Sequence, residues 1–536
     1  MNEFVVNGTD VHETARVNVN ETARKGATTM RCHGATSQRG RASQRSRARR
    51  ERAKRRTRAL GGWVRLATPV AVLAALLAPV AALGSGMVSG APAGAATAPP
   101  NTAVVPSACG LSALAQARGP VQITMWDTMS QTNATWLQNA VAQFDAAQHK
   151  VQVTLVQQPD YPSEFVKYKA GLTSGDLPTL AQFEDTTVQQ LVDSHSTVPV
   201  ADCIAASHYA LGDYLPRALA FYRYHGVQQS MPWAVSNVIM YYNPKDFEKA
   251  GLNPDDPPQT FAQVTADAQR IVSTHAATHG VALPAKPYVF EFLLAKSGGM
   301  YVNNGNGRIA RATGANLTSP IALRVWKWWS QMLTSKLALP TGSDPNNIDH
   351  LIAIATGNAA MTFEASGIIG AAEAVLASGQ YPGVEIKTAP LPALTTGGGV
   401  PVGDGSLWIT AHASLAQRAA AWLLIQYLDS PQQVASLAAE GGYVPIRYSA
   451  TKLPVLVNKW AADPNYEVSY TQLTTGHLSY ANIGSLIGDY QDVRNAVVDG
   501  LEDMAANGAS YQAAAALAEG EANTAISNYN QRIGAG

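Results

Sequence analysis

The sequence predicts an α/β protein of two lobes joined by a hinge, and three observations carry that expectation. From about Val121 onward, short runs with strand-like alternation are followed by stretches with helical spacing, and the order repeats. After Tyr241-Tyr-Asn-Pro244 the pattern starts afresh, as it would on entering a second unit. A chain of 536 residues also exceeds what one hydrophobic core accommodates.

The first lobe opens with Val121-Gln-Ile-Thr-Met-Trp126, an alternating strand. A helix is expected from about Ala134, where Leu137, Ala140, Val141 and Phe144 share one stripe. Val151-Gln-Val-Thr-Leu-Val156 is the second strand, and Leu180-Ala-Gln-Phe183 the third, after a turn at Gly175-Asp-Leu-Pro178. Helices are expected at 260–274, 320–333 and 349–356, and late strands at 383–388 and 405–410. The remainder reads as helical, ending in an alanine-rich stretch in which 513–516 is helix filler. The expected divisions are a leader, 1–95, and a flexible tether, 96–120, rich in small residues and proline. Residues 121–232 with about 386–435 would form the first lobe, and about 236–385 with about 440–530 the second.

Composition is that of a globular body, 46% apolar and 14% charged. The leader differs: arginine dominates 39–58, an almost uncharged apolar run covers 66–83, and Ala93-Gly-Ala95 offers a small-residue cleavage site. That order is what a secretory signal presents, so the protein is expected outside the cytoplasm, associated with the outer face of the cytoplasmic membrane. Two other readings are an uncleaved membrane anchor and a nucleic-acid-binding basic tail. Residues 1–65 hold 16 basic and 5 acidic residues of the chain's 39 and 38, leaving 23 and 33. The acidic remainder argues against nucleic acid as a partner. Of three cysteines, Cys32 lies in the leader, while Cys109 and Cys203 are candidates for one disulfide in an oxidising compartment.

Motifs for catalysis are missing from the sequence. It has no GxxxxGK[ST], nucleophile elbow, HExxH or paired CxxC, and its histidines, among them His195, His208 and His225, are not at metal-ligand intervals. Glu184 and Asp404 would be the carboxylate pair of a glycosidase, a minor alternative. No cofactor or metal is expected, and the chain is read as a binder, not an enzyme.

The phrase from Tyr241-Tyr-Asn-Pro-Lys-Asp-Phe through Thr260-Phe261 resembles the family 1 extracellular solute-binding proteins of ABC importers. Gly357-Asn-Ala-Ala-Met-Thr362, Gly405-Ser-Leu-Trp408 and Gly441-Gly-Tyr-Val-Pro-Ile446 continue the match in order and spacing. The resemblance implies a periplasmic-binding-protein-like class II fold with the ligand cleft between lobes. It implies a monomer that carries a small hydroxyl-rich solute to permease subunits, and it extends to members that bind sugars, glycerol 3-phosphate or glycerophosphodiesters. A lipid-modified Cys109, as some members carry, is an alternative to the disulfide. A surface sensory or adhesion protein on the same fold is the runner-up of a different class.

The ligand residues that the resemblance implies are Tyr161, Glu184, Ser236, Ser366, Gly403 and Tyr443. In Ser485-Leu-Ile-Gly-Asp-Tyr-Gln-Asp-Val-Arg494 it places Leu486 where a phosphate-binding arginine stands in the family, which favours a neutral sugar or polyol, or a diester held only by neutral donors, over a dianionic phosphate. The residues themselves add further candidates. Sugars need flat rings beside carboxylates and amides. Trp126 and Asp127 end the first strand, at the edge where α/β sheets take ligands. Trp233 stands in the crossing segment next to the polar pair Ser236 and Asn237, whose alternative role is backbone capping. Tyr288, Phe290 and Tyr301 would form a stacking wall opposite Trp126, Glu364 and Ser366 precede Gly367 in a turn that would aim backbone N–H groups into the cleft, and Asp404 would accept hydroxyls.

Overall fold

The computed structural model describes residues 108–343 and 348–535; the expected leader and the first part of the tether lie outside them. The first sheet runs Val151–Gln157, Val121–Asp127, Leu180–Glu184, Gly403–Thr410 and Thr197–Val198, with Met231–Ser236 also paired to Gly403–Thr410. Its first three strands are parallel, and Gly403–Thr410 returns antiparallel with Gly405 opposite Glu184. The carboxyl ends at Asp127, Gln157 and Glu184 therefore share one edge.

The second sheet runs Ala338–Thr341, His279–Pro284, Ala359–Ala365, Val238–Tyr242 and Lys387–Ala389. Three of its strands are parallel and Val238–Tyr242 is antiparallel to its neighbours, with Val238 opposite Ala365. The late strand is three residues long and belongs here, so the boundary expected at about 386 lies farther along the chain. Met231–Ser236 and Val238–Tyr242 are buried throughout, which is why that segment reads as one apolar run rather than an alternation.

Only Asn237 separates the strand of the first sheet from that of the second. The chain recrosses between Ala389 and Gly403, and again between Ile446 and the helix Val468–Thr474. These crossings are braced at Gln472. Its Oε1 accepts from Lys296 Nζ at 2.7 Å and Leu391 N at 2.6 Å, and its Nε2 donates to Asn237 Oδ1 and Val238 O, both at 2.8 Å. One amide thus ties two crossings with its hydrogen-bonding capacity filled. Burial pushes the Lys296 amine down to about 7. Gly398 passes over the Lys296 carbonyl so closely that an added Cβ would lie 1.7 Å from that oxygen, a position only glycine fits.

Helices cover both lobes. Gln131–Ala147 buries Leu137, Ala140, Val141 and Phe144 on the expected stripe, and Trp136 with them, and it starts three residues earlier than 134 because Ser130 is extended and opens it. Phe261–Ser273 begins with a capping box between Thr260 and Gln263. The last two helices, Tyr490–Asn507 and Tyr511–Arg532, pack on each other and on the second lobe's Pro287–Lys296 and Pro320–Thr334. Ala514 and Ala515, expected as filler, are buried there along with Ala518 and Ala522, and Gly500 approaches Ala514 O closely. The tether's end is also more ordered than expected: Leu111–Ala115 is a helix, fastened to the first lobe by a Cys109–Cys203 disulfide. His195 and His208 close helices in the left-handed conformation, a structural use of residues whose spacing suits no metal.

Candidate functional site

The parallel strands of the two sheets end at a common seam. From the first lobe, Tyr161 opens the helix Tyr161–Ser174, and its hydroxyl accepts from Gln182 Nε2 at 2.8 Å. The other end of Gln182 accepts from Thr128 N, so the amide is fixed by the strand end next to it. Asp404 sits at a bulge of Gly403–Thr410 with φ 66°, the left-handed region where a non-glycine residue is uncommon. Tyr222 donates to the carbonyls of Asp404 and Gly405, which holds that bulge. Ser236 pairs with Gly403 across the strands, next to Asp404. Burial first, then Glu184 and Glu364, push Asp404 up to about 7, against the pull of Ser236 and Arg494. Gly405 is needed for close packing, since a Cβ there would meet Trp233 O at 2.9 Å.

From the second lobe, Glu364, next to last in its strand, is held by Lys286 Nζ at 2.6 Å and by the Tyr288 hydroxyl at 2.6 Å. His350 Nε2 lies 2.8 Å from the same carboxylate. Burial alone would raise Glu364, but Lys286 and His350 outweigh it and hold the carboxyl well below its usual range. Ser366 follows, its N–H donating to Asn237 O, and Gly367 brings its carbonyl 3.3 Å from Asn133 Nδ2 of the first lobe. Tyr443 stands against Gly367, with its hydroxyl 3.8 Å from Met129 Sδ. The Ser366 hydroxyl and the Trp233 indole N–H are buried with no hydrogen-bond partner among the described residues.

Arg494 joins the lobes. Its Nη1 donates to Glu184 Oε1 at 2.6 Å, its Nη2 to Asp185 Oδ2 at 3.2 Å, and its Nε to Glu291 Oε2 at 3.1 Å. Tyr490 donates to the other Glu291 oxygen. Burial, with Glu184 and Glu291 near, holds Asp185 well above its usual value despite Arg494.

Tyr161, Glu184, Ser236, Tyr288, Ser366, Gly403, Asp404 and Tyr443 thus come together at the seam, and other expected residues do not. Trp126 is buried under Lys167, whose Nζ lies 4.0 Å from the ring centroid. Asp127 is buried behind the seam beside the unpartnered carboxylate of Glu164, and burial pushes it up to about 6. Phe290 packs on Trp326 and Tyr301 on Tyr490, both in the core, so only Tyr288 of the expected wall reaches the site. Trp233 is buried beside Tyr443 along an apolar lining of Leu428, Val434 and Leu437. Asn237 is a hinge brace, its Nδ2 donating to Ser469 O. Leu486 is buried, and Arg494, eight residues on, brings a cation to the seam. Sequence reasoning passed over Arg494 and Glu291, although both interrupt buried apolar stripes: Tyr490, Val493, Arg494 and Val497 share one helix face.

A braced hinge and a polar seam between two α/β lobes define a bilobal, ligand-trapping receptor. The chain belongs to the bacterial extracellular solute-binding protein family, whose profile matches residues 139–468. It is 25% identical over 366 residues to the sn-glycerol-3-phosphate-binding periplasmic protein UgpB of Rhizobium meliloti (strain 1021), covering 67% of this chain and 83% of that one. Its fold is similar to that of UgpB from Mycobacterium tuberculosis solved in complex with glycerophosphocholine, with a TM-score of 0.65 at 20% identity over 76% of this chain and 99% of that one. The GacH receptor of Streptomyces glaucescens GLA.O, solved unliganded and with acarbose, is similar at a TM-score of 0.63 and 20% identity over 76% and 99%.

Proposed function

We propose that the chain is the extracytoplasmic receptor of an ABC importer, closing on a sugar, polyol or glycerol-derived solute and presenting it to the permease. The observation that carries this is the meeting of Tyr161, Glu184, Ser236, Asp404 and Tyr443 with Tyr288 and Ser366 across one hinge. Carboxylates, hydroxyls and phenol rings in that mixture suit a molecule with several hydroxyl groups. The ligands of the similar proteins, glycerol 3-phosphate, glycerophosphocholine and acarbose, are all of that kind.

Arg494 bears on the choice among them. A dianionic phosphate would have to draw its guanidinium away from three carboxylates, so a neutral or diester solute suits the seam better. A glycerophosphodiester is therefore the second reading. The chain acts without catalysis, as a monomer held at the outer face of the membrane.

The test is calorimetric titration of the purified protein with neutral sugars, glycerol 3-phosphate and glycerophosphocholine. Micromolar or tighter binding of one hydroxylated solute is expected, and pulldown of permease subunits should depend on that solute. Submicromolar glycerol 3-phosphate would overturn the Arg494 argument. Hydrolysis of a supplied glycoside would overturn the non-catalytic reading.

A further inference from the structure

The charges at the seam do not balance. Glu364 is matched by Lys286, with His350 beside it. Arg494 is divided among Glu184, Asp185 and Glu291. Asp404 makes no ion pair among the described residues, and its backbone carbonyl accepts from the Tyr222 hydroxyl. The groups that face it from neighbouring elements are Glu184, Asp185, Glu364 and Arg494, with the phenols of Tyr161, Tyr222, Tyr288 and Tyr443. Tyr161 and Tyr443 converge beside Met129, because the Tyr161 hydroxyl bonds Gln182 Nε2, which lies 3.7 Å from Met129 Sδ, and Tyr443 reaches the same sulfur, while Gly405, next to Asp404, packs against the same Gln182 amide. The buried, unpartnered Ser366 hydroxyl marks the facing wall independently of this carboxylate cluster.

We propose that the solute carries a positively charged nitrogen on a hydroxyl-bearing frame, seated between Asp404 and the phenol rings of Tyr161 and Tyr443. This rests on the reading of the chain as a solute receptor and narrows it. Neutral hydroxyls would satisfy the hydrogen bonds of Asp404 but leave its charge uncompensated, whereas an ammonium supplies that charge and gains from electron-rich ring faces. A dianionic phosphate would add repulsion to an already acidic seam.

Binding of such a cation competes with a proton. Asp404, pushed up to about 7 by burial and its acidic neighbours, is neutral below that pH and ionised above it, so affinity for the cation rises with pH through about 7.

Calorimetry on the full chain would compare two matched pairs, glucosamine with glucose and glycerophosphocholine with glycerophosphoglycerol. In at least one pair the cationic member should bind about 10-fold more tightly at neutral pH, and Asp404→Asn should reduce that preference to about 2-fold or less. Glycerophosphocholine keeps its charge from pH 6 to 8, so if that is the preferred pair its affinity should rise over this range in the native chain and stay flat in Asp404→Asn. Equal binding within both pairs would overturn the proposal while the receptor reading stands. Retention of the preference in Asp404→Asn would overturn it too. Binding of none of the four would overturn both.

Discussion

Arg494 Nη1 of the second lobe lies 2.6 Å from Glu184 Oε1 of the first, so a residue proposed to touch the solute also fastens the two halves together. Removing the guanidinium would strand three acidic side chains around it. Arg494→Met should therefore lower unfolding free energy by about 3–5 kcal/mol and shift small-angle scattering toward a more open form. A melting curve and scattering profile like those of the native chain would show that the ion cluster holds nothing.

Glu184→Ala and Tyr443→Ala should each weaken solute binding by about 1–3 kcal/mol, through hydrogen bonds lost or left stranded. Calorimetry decides this residue by residue. A variant with native affinity removes its residue from the site.

Asp404 gives a pH signature without any solute. Its folded value of about 7 lies above the unfolded 3.8, so the folded state holds the extra proton between them. Its contribution to stability falls as pH rises from about 4 to about 7 and is constant beyond. Asp404→Asn should match the native chain near pH 4 and exceed it by about 1–3 kcal/mol at pH 8, after allowance for partial exposure. Denaturant titrations at both pH values measure the gap, and an equal gap at the two would contradict this assignment.

Gln472 braces the hinge with four hydrogen bonds, and Gln472→Leu would leave Leu391 N and Asn237 Oδ1 buried without that partner. A loss of about 2–4 kcal/mol is expected, with faster amide exchange around Asn237. Unchanged exchange there would mean that the crossings are braced by packing alone.

The Cys109–Cys203 bridge closes a span of 94 residues. Cys109→Ser should cost about 2–4 kcal/mol, and reduction of the native chain should cost the same. Mass spectrometry that finds two free thiols in oxidised protein would rule the bridge out.

The strands and long helices of both lobes were legible because their apolar periods are clean, as in Val121–Asp127 and Gln131–Ala147. The seam was legible in part. Tyr161, Glu184, Ser236 and Tyr443 were reached through a resemblance of phrases, whereas Trp126, Phe290 and Tyr301 were placed by residue type alone, and they pack as ordinary core. An aromatic ring's preference for burial does not say whether the burying surface is protein or ligand. Arg494 and Glu291 left a readable mark, charge on a buried helix stripe, but their partners are some 200 to 300 positions away in sequence and no local pattern names them. The role of Asn237 was open between ligand and cap, because only the distant Gln472 decides it.

With Asn237 as the sole spacer between two fully buried strands, the lobes are locked in phase. Adding or deleting one residue there would turn Val238–Tyr242 upside down and point its inward side chains at the wrong layer. Recognition in this molecule can therefore be retuned by exchanging side chains along the joint, but not by lengthening it.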